Sequence, residues 1–407
     1  MVRKLGLTLI VILTVTLAAC SSTTSPPPAS STSSTSTSTT IQAPTTTTTQ
    51  TTIATTILPR QDVDGVKFLN SRVGWATTQN HSRLFMTSDG GLHWRAISPP
   101  MLARKGMSLA SGLSGASFIS ASDFYVSVYD ASAAKLEPVL LFHTTDAGTH
   151  WTQAGSFPNF VDGTWVNFLN KRRGWVAVDN GEAGGSGSVT IYETTNGGRN
   201  WQMVSRSRSL TGAPGTPGNP GMADVTGLSV EGSSRSPILW LSGATTLTPY
   251  WVCSTDGGRR WTGCGGGWVD PCKGSGGGAW PPVFSSRLSG ALVASYGTPH
   301  TSVTAFFSTS DGGNTWVEHL PPAPTIGPMD VVSSTTWFAV VGKALYLTTN
   351  GGTTWSRVPN EKDLHGYSGT GSLDFVNTLD GWTILGSGRL WHTSDGGRAW
   401  KLELLPQ

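Results

Sequence analysis

Thr87-Ser88-Asp89-Gly90-Gly91-Leu92-His93-Trp94 decides the reading of this chain, because the pattern is written seven times. It returns as Thr144–Trp151, Thr194–Trp201, Ser254–Trp261, Thr309–Trp316, Thr348–Trp355 and Thr393–Trp400. Its acidic or amide position is Asp89, Asp146, Asn196, Asp256, Asp311, Asn350 and Asp395 in turn, at spacings of 39 to 60 residues. Each copy reads as the tip of a β-hairpin. The Asp or Asn oxygen accepts backbone N–H groups from the residues after it and closes an Asx-type turn. The second Gly is present in every copy, as a position with positive φ requires. Ala147 replaces the first Gly once, which marks that position as less demanding. The Trp opens the return strand and fills space between neighbouring sheets.

Two of the seven side chains, Asn196 and Asn350, keep the hydrogen-bond acceptor and lack the charge. A metal site or a proton-transfer role needs that charge, so the boxes read as architecture and no metal or cofactor is expected. The sequence between boxes supplies the rest of a four-stranded unit. In the last repeat the strands are read at Ser372–Val376, Gly381–Leu385, Arg389–Thr393 and Ala399–Leu404. The first repeat matches, with Val66-Lys67-Phe68, Gly74-Trp75-Ala76, Leu84-Phe85-Met86 and Trp94–Ile97; in the second, Ala116–Ile119 and Phe124–Val128 open the unit. Seven such units predict an all-β fold, a seven-bladed β-propeller of four-stranded antiparallel blades over residues 61–407. The repeats run in phase with the blades. The ring therefore closes by side-chain packing alone, or with a strand added near Ile53–Leu58.

Composition agrees. Only 13% of the 407 residues are charged, against 51 Gly and 17 Trp, as suits many tight turns and aromatic-filled sheets. The formal charge is +3, or +1 without Arg3 and Lys4, and no basic stripe announces a nucleic-acid partner.

Residues 1–19 carry a positive start (Arg3, Lys4) and an apolar run, Leu5 to Leu17, too short for a comfortable membrane span. Leu17-Ala18-Ala19-Cys20 resembles a bacterial lipobox, which implies a cleaved leader and acylation of Cys20. The plainer alternative is an ordinary signal peptide with an incidental cysteine. Residues 20–60 are dominated by Ser and Thr and carry no charge before Arg60. Such a stretch cannot bury enough apolar surface to order itself, and it reads as a disordered spacer averaging roughly 35 Å end to end. The expected location is the extracytoplasmic face of a bacterial cell membrane. The other cysteines, Cys253, Cys264 and Cys272, lie within twenty residues of one another. One disulfide among them is expected outside the cytoplasm, because zinc would need a fourth ligand and the spacings do not suit it.

The repeats resemble the Asp-box, or BNR, repeats of sialidases, sortilin-type receptors, some glucanases and the photosystem II assembly factor family. They are closest to the last, in Phe68-Leu69-Asn70-Ser71-Arg72-Val73-Gly74-Trp75, Phe168–Trp175 and Phe375–Trp382. The resemblance implies the propeller fold; a photosynthetic role does not transfer with it. Sialidases pair an Arg-Ile-Pro segment with six blades, and this chain has no such segment.

Function is sought on the rims. Long, varied connections at 98–112, 205–224, 265–282 and 360–371 belong to the rim opposite the boxes. Among them the Gly263–Gly278 loop, with Trp268 and Asp270 between Cys264 and Cys272, is the leading candidate binding loop. On the box rim, Arg72, Arg172, Arg173 and Arg287 fall at matching turns. The resemblance implies that arginines on one face contribute to partner docking. The expected function is a non-catalytic binding or assembly scaffold, monomeric, held to the membrane by its lipid anchor, with an envelope protein or glycan as ligand. The alternative is a glycoside hydrolase, sialidase-like or otherwise glycan-acting. It would need two carboxyls, or a Tyr/Glu pair, converging in a pocket, with Asp162, Glu182, Asp224, Glu361, Asp363, His365 and Tyr367 among the loop groups available.

Overall fold

Alternation along each strand builds the ring. Trp75 faces one neighbouring sheet and Ala76 the other, and Trp175 and Val176 divide in the same way. The computed structural model describes residues 62–133, 137–158, 163–182, 187–206, 225–244, 249–262, 277–297, 302–325, 327–359, 364, 372–385 and 388–405. Residues 1–61, on which the leader, lipobox and spacer readings fall, therefore lie outside the described residues.

Seven antiparallel sheets follow one another, and the chain forms a seven-bladed propeller. Blade 1 holds Val63–Phe68, Gly74–Thr78, Leu84–Thr87 and Arg95–Ala96. Blade 2 holds Met107–Leu109 with Ser117–Phe118, then Phe124–Asp130, Val139–Thr144 and Thr152–Phe157. Blade 3 holds Gly163–Phe168, Gly174–Glu182, Gly187–Thr194 and Gln202–Arg206, and blade 4 holds Val225–Ser233, Ser236–Ala244 and Pro249–Ser254. Blade 5 holds Gly277–Ala279 with Val283–Phe284, then Gly290–Tyr296, Val303–Thr309 and Val317–His319. Blade 6 holds Met329–Val331, Trp337–Val341, Ala344–Thr348 and Ser356–Arg357, and blade 7 holds Leu373–Phe375, Gly381–Leu385, Arg389–Thr393 and Lys401–Leu402. The outer edge of blade 4 is reduced, among the described residues, to a single bridge between Cys253 and Thr262.

The core is divided among the blade interfaces, with one apolar cluster between each adjacent pair. Every box Trp enters the cluster shared with the preceding blade: Trp151 donates its indole N–H to Ile97 O at 3.0 Å and Trp201 donates to Ala154 O at 2.8 Å. The Gly of each Gly-Trp pair has its own reason. The Phe that ends strand one lies over it, and a Cβ at Gly74, Gly174 or Gly381 would meet that ring at 2.4–2.5 Å.

The ring closes between blades 7 and 1 without an added strand among the described residues. Phe68 stacks on Trp382 with ring centroids 3.4 Å apart, and the Trp382 indole N–H donates to Gly90 O at 3.1 Å. Val63 N donates to Gly388 O at 2.9 Å. Asp374 completes the seam, with one oxygen 2.6 Å from the Lys67 amine and the other accepting Phe68 N–H at 2.5 Å. Side-chain packing does the closing, with a carboxylate clamp. The Ile53–Leu58 alternative lies outside the described residues.

Strand one of blade 2 differs from its sequence reading. It is split: Met107–Leu109 pairs with Val128–Asp130, Ser117–Phe118 pairs with Phe124–Tyr125, and the residues between loop out. The loop is pinched at its neck, where a Cβ on Gly115 would sit 2.0 Å from Ala110 O. Part of what reads as the 98–112 connection is therefore strand.

Candidate functional site

Each box is a hydrogen-bond unit centred on a hydroxyl as much as on the acid. Thr309 Oγ1 donates to Asp311 Oδ1 at 2.8 Å and accepts the N–H of Gly313 at 2.8 Å, while Asp311 Oδ1 also accepts Thr315 N–H at 2.9 Å. The same three bonds occur in the other six boxes, with Ser254 in place of Thr in blade 4 and with Asn196 and Asn350 as acceptors. The second oxygens of Asp89, Asp146 and Asp311 meet His93, His150 and Thr315 at 2.6–2.7 Å. Donors hold these carboxyls at about 2: first the backbone N–H of His93 for Asp89 and of His150 for Asp146, and the hydroxyl of Thr315 for Asp311. The box hydroxyl is present in all seven copies, and its role was missed in the sequence because a surface Thr in a turn carries no distinctive signal.

The turn between strands one and two lies beside the box. The N–H that follows the box acid donates to a carbonyl of that turn, on Arg72, Ser122, Arg172, Leu288, Thr335 and Leu379, at 2.8–3.0 Å. Thus the backbone of one turn position is committed to architecture in six blades, while its side chain stays exposed. That position carries two arginines and two leucines. Arg287 is the residue before it in blade 5 and is also exposed. Arg173 differs, because it turns inward. Its guanidinium lies 2.7 Å from Glu193, which Arg259 meets at 3.3 Å, and it covers the Trp175 ring at 5.0 Å. Of the four arginines read from sequence, three remain as an open rim set and one is a structural pair.

Arg287 also borders a cavity of about 730 Å³ between blades 4 and 5 on the box rim, with Trp240, Phe284 and Glu231 in its walls. Burial pushes the Glu231 carboxyl up to about 7. A second cavity, of about 420 Å³, opens from the central channel; its walls include Lys67, Trp280, Asp330 and Leu373 of the innermost strands, and it reaches Ser295 and Thr304 of blade 5. Asp330 and Asp374 occupy the same register of strand one in blades 6 and 7, and Lys67 holds it in blade 1. Each acid accepts the N–H of the next blade's Phe, Asp330 from Phe375 at 2.6 Å and Asp374 from Phe68 at 2.5 Å. Burial, and then the Asp374 charge, pushes the Asp330 carboxyl up; the Asp374 charge raises the Lys67 amine. Aligning the penultimate residue of each strand one, before Phe68, Val331 and Phe375, would have exposed this Lys/Asp/Asp set.

The leading loop candidates, Trp268, Asp270, Cys264 and Cys272, lie outside the described residues, as do Asp162, Asp224, Glu361, Asp363, His365 and Tyr367 and the side chain of Glu182. Cys253 is disulfide-bonded, and its partner lies outside the described residues. A Tyr/Glu pair does form: the Tyr296 hydroxyl donates to Glu318. It belongs to the second and outermost strands of blade 5, with Tyr296 packed against Trp251 and Phe307, and does not open on the channel.

No family model matches the sequence, and no curated protein matches it. Solved structures do. A GH74 xyloglucanase from Xanthomonas campestris aligns at 14% identity over 85% of this chain and 55% of its own, with a TM-score of 0.61. The GH74 enzyme of Niastella koreensis aligns at 14% identity over 85% and 54%, with a TM-score of 0.58. YCF48 bound to D1 peptide aligns at 16% identity over 83% and 94%, with a TM-score of 0.50. The chain spans about half the length of the two GH74 enzymes. Identities this low establish the shared propeller fold and nothing finer.

Proposed function

We propose that this chain is a non-catalytic binding propeller that docks a polypeptide of the cell envelope on its box rim, tethered outside the cytoplasm by acylated Cys20. The observation that carries the reading is the turn position whose carbonyl serves the box and whose side chain serves nothing internal: Arg72, Arg172, Leu288 and Leu379. Arginine and exposed apolar side chains on a rigid edge are the composition of a protein-docking surface. Leu69 and Leu92, 44% and 56% exposed, extend it on blade 1 beside Leu379 of blade 7. A peptide-bound propeller among the fold neighbours, matched over 94% of its length, supports a polypeptide ligand.

The test changes side chains and spares the carbonyls. Arg72→Glu, Arg172→Glu, Leu288→Asp and Leu379→Asp together should leave the melting temperature near wild type and weaken capture of a stoichiometric envelope partner by at least ~100-fold. Undiminished capture by the quadruple variant would defeat rim docking.

A glycoside hydrolase is the second reading, and one observation favours it: Asp330 and Asp374 share a register beside the channel cavity. Against it, both carboxylates already accept backbone N–H bonds that join blades. Turnover of aryl glycosides that disappears in Asp330→Asn would establish the hydrolase and displace the binding reading.

A further inference from the structure

The channel cavity holds a feature that rim docking does not use. Among the exposed large apolar side chains of the described residues, Trp280 is the single aromatic, at 46% exposure. Its backbone is fixed, since Trp280 N donates to Val293 O at 2.9 Å between the two halves of the innermost strand of blade 5. Val283, 40% exposed, stands on the same wall. An indole face and a valine left open inside a recess, on a strand that cannot move away, form an apolar plate without a cover.

The groups around the plate narrow what would cover it. Lys67 is 55% exposed while its amine is paired with Asp374, so it offers donors without excess positive charge. Asp330 stands in the same wall, and Ser295 and Thr304 contribute a hydroxyl pair 2.7 Å apart. A phosphate or carboxylate ligand would meet the Asp330 carboxyl in the wall, and the one amine there is already paired with Asp374. A hydrocarbon ligand would cut the remaining donor and acceptor positions of the amine, the carboxyl and the hydroxyls off from water, each at a desolvation cost. A sugar ring satisfies both requirements, with a C–H face for the indole and hydroxyls that donate and accept. The cavity volume, about 420 Å³, lies within the range of small-ligand sites.

We propose that the channel cavity binds a neutral saccharide, stacked on the Trp280 indole, with its hydroxyls shared among Lys67, Asp330 and the Ser295–Thr304 pair. The site is separate from the box rim and does not depend on partner docking there.

Titration calorimetry of the mature protein with cellobiose, maltose and N,N′-diacetylchitobiose tests it, with galacturonate as the anionic control. Saturable binding of at least one neutral sugar is expected. Trp280→Ala should weaken it about tenfold or more, and Trp280→Phe, which keeps an aromatic face, should retain most of it. Arg287→Ala, on the other rim, should leave sugar binding unchanged, so failure of one site is readable apart from failure of the other. If Trp280→Ala does not fold, acrylamide quenching in a Trp268→Phe background decides, because a bound sugar shields the Trp280 indole. No binding by any of the three sugars, binding of galacturonate alone, wild-type affinity in Trp280→Ala, or quenching unaltered by sugar would each overturn the proposal.

Discussion

At the scale of single residues, the box is a network in which the hydroxyl, the acid and the two positions after it have different tasks. Ala147 shows how strict one of them is. Its φ is +60°, just below the +65° to +82° that the glycine in the same place adopts in the other boxes, so the position is left-handed whatever residue fills it. An L-residue there costs about 1–2 kcal/mol, partly offset by the lower chain entropy of Ala. Ala147→Gly should therefore raise stability by about 1 kcal/mol, read from urea midpoints; a loss would contradict the strain. The acids give a pH dependence of known sign. Asp89, Asp146 and Asp311 sit near 2 in the folded chain against an ordinary value of 3.8. The unfolded chain then takes up protons first, so stability is complete above about pH 4 and is lost as pH falls towards 2. The melting temperature should drop between pH 5 and 2.5, and less steeply in Asp311→Asn, which imitates blades 3 and 6. Equal slopes would show that the Asp311 carboxylate does not carry its share.

At the scale of the blade, the second box glycine combines positive φ with contact. A Cβ on Gly313, at φ +89°, would lie 2.3 Å from the Trp240 ring of the preceding blade. Gly313→Ala should cost about 3 kcal/mol, since both backbone strain and overpacking apply. A change below about 1 kcal/mol would mean that the Trp240 ring yields freely. Strands with clear alternation were legible in sequence. Gly381–Leu385 and Arg389–Thr393 match residue for residue, and each box falls at a hairpin tip. What was not legible has a common physical cause, which is dependence on partners distant in sequence, in the same blade or in the next. The split of strand one in blade 2 follows from pairing with both ends of Phe124–Asp130. The register of Lys67, Asp330 and Asp374 acquires meaning only when the next innermost strand supplies an N–H. Trp280 is unremarkable among 17 tryptophans until it is seen to be the exposed one among those described. Arg173 looked like its rim companions, and only Glu193, twenty residues on, turns it inward.

At the scale of the whole molecule, the ring depends on one seam between the first and last blades. Asp374 is 6% exposed and serves Lys67 and Phe68 N–H together. Asp374→Ala should destabilise by about 3 kcal/mol, because it leaves a paired amine and a buried N–H without an acceptor, while Asp374→Asn, which keeps an acceptor, should cost less. Equal stability of Asp374→Ala and wild type would assign closure to the Phe68–Trp382 stack and the seam's other hydrogen bonds, from Trp382 to Gly90 and from Val63 to Gly388. The closed ring fixes which side chains share a rim, and it sets the box-rim turns apart from Lys343 in the opposite-rim turn of blade 6. Site-specific photocross-linking of the full chain in cells tests rim docking most directly, with a photoreactive residue at Leu288, at Leu379 or at Lys343. The account predicts that the first two positions capture the same extracytoplasmic polypeptide and that Lys343 captures none. Capture from Lys343 alone, or no adduct from either leucine position, would contradict it.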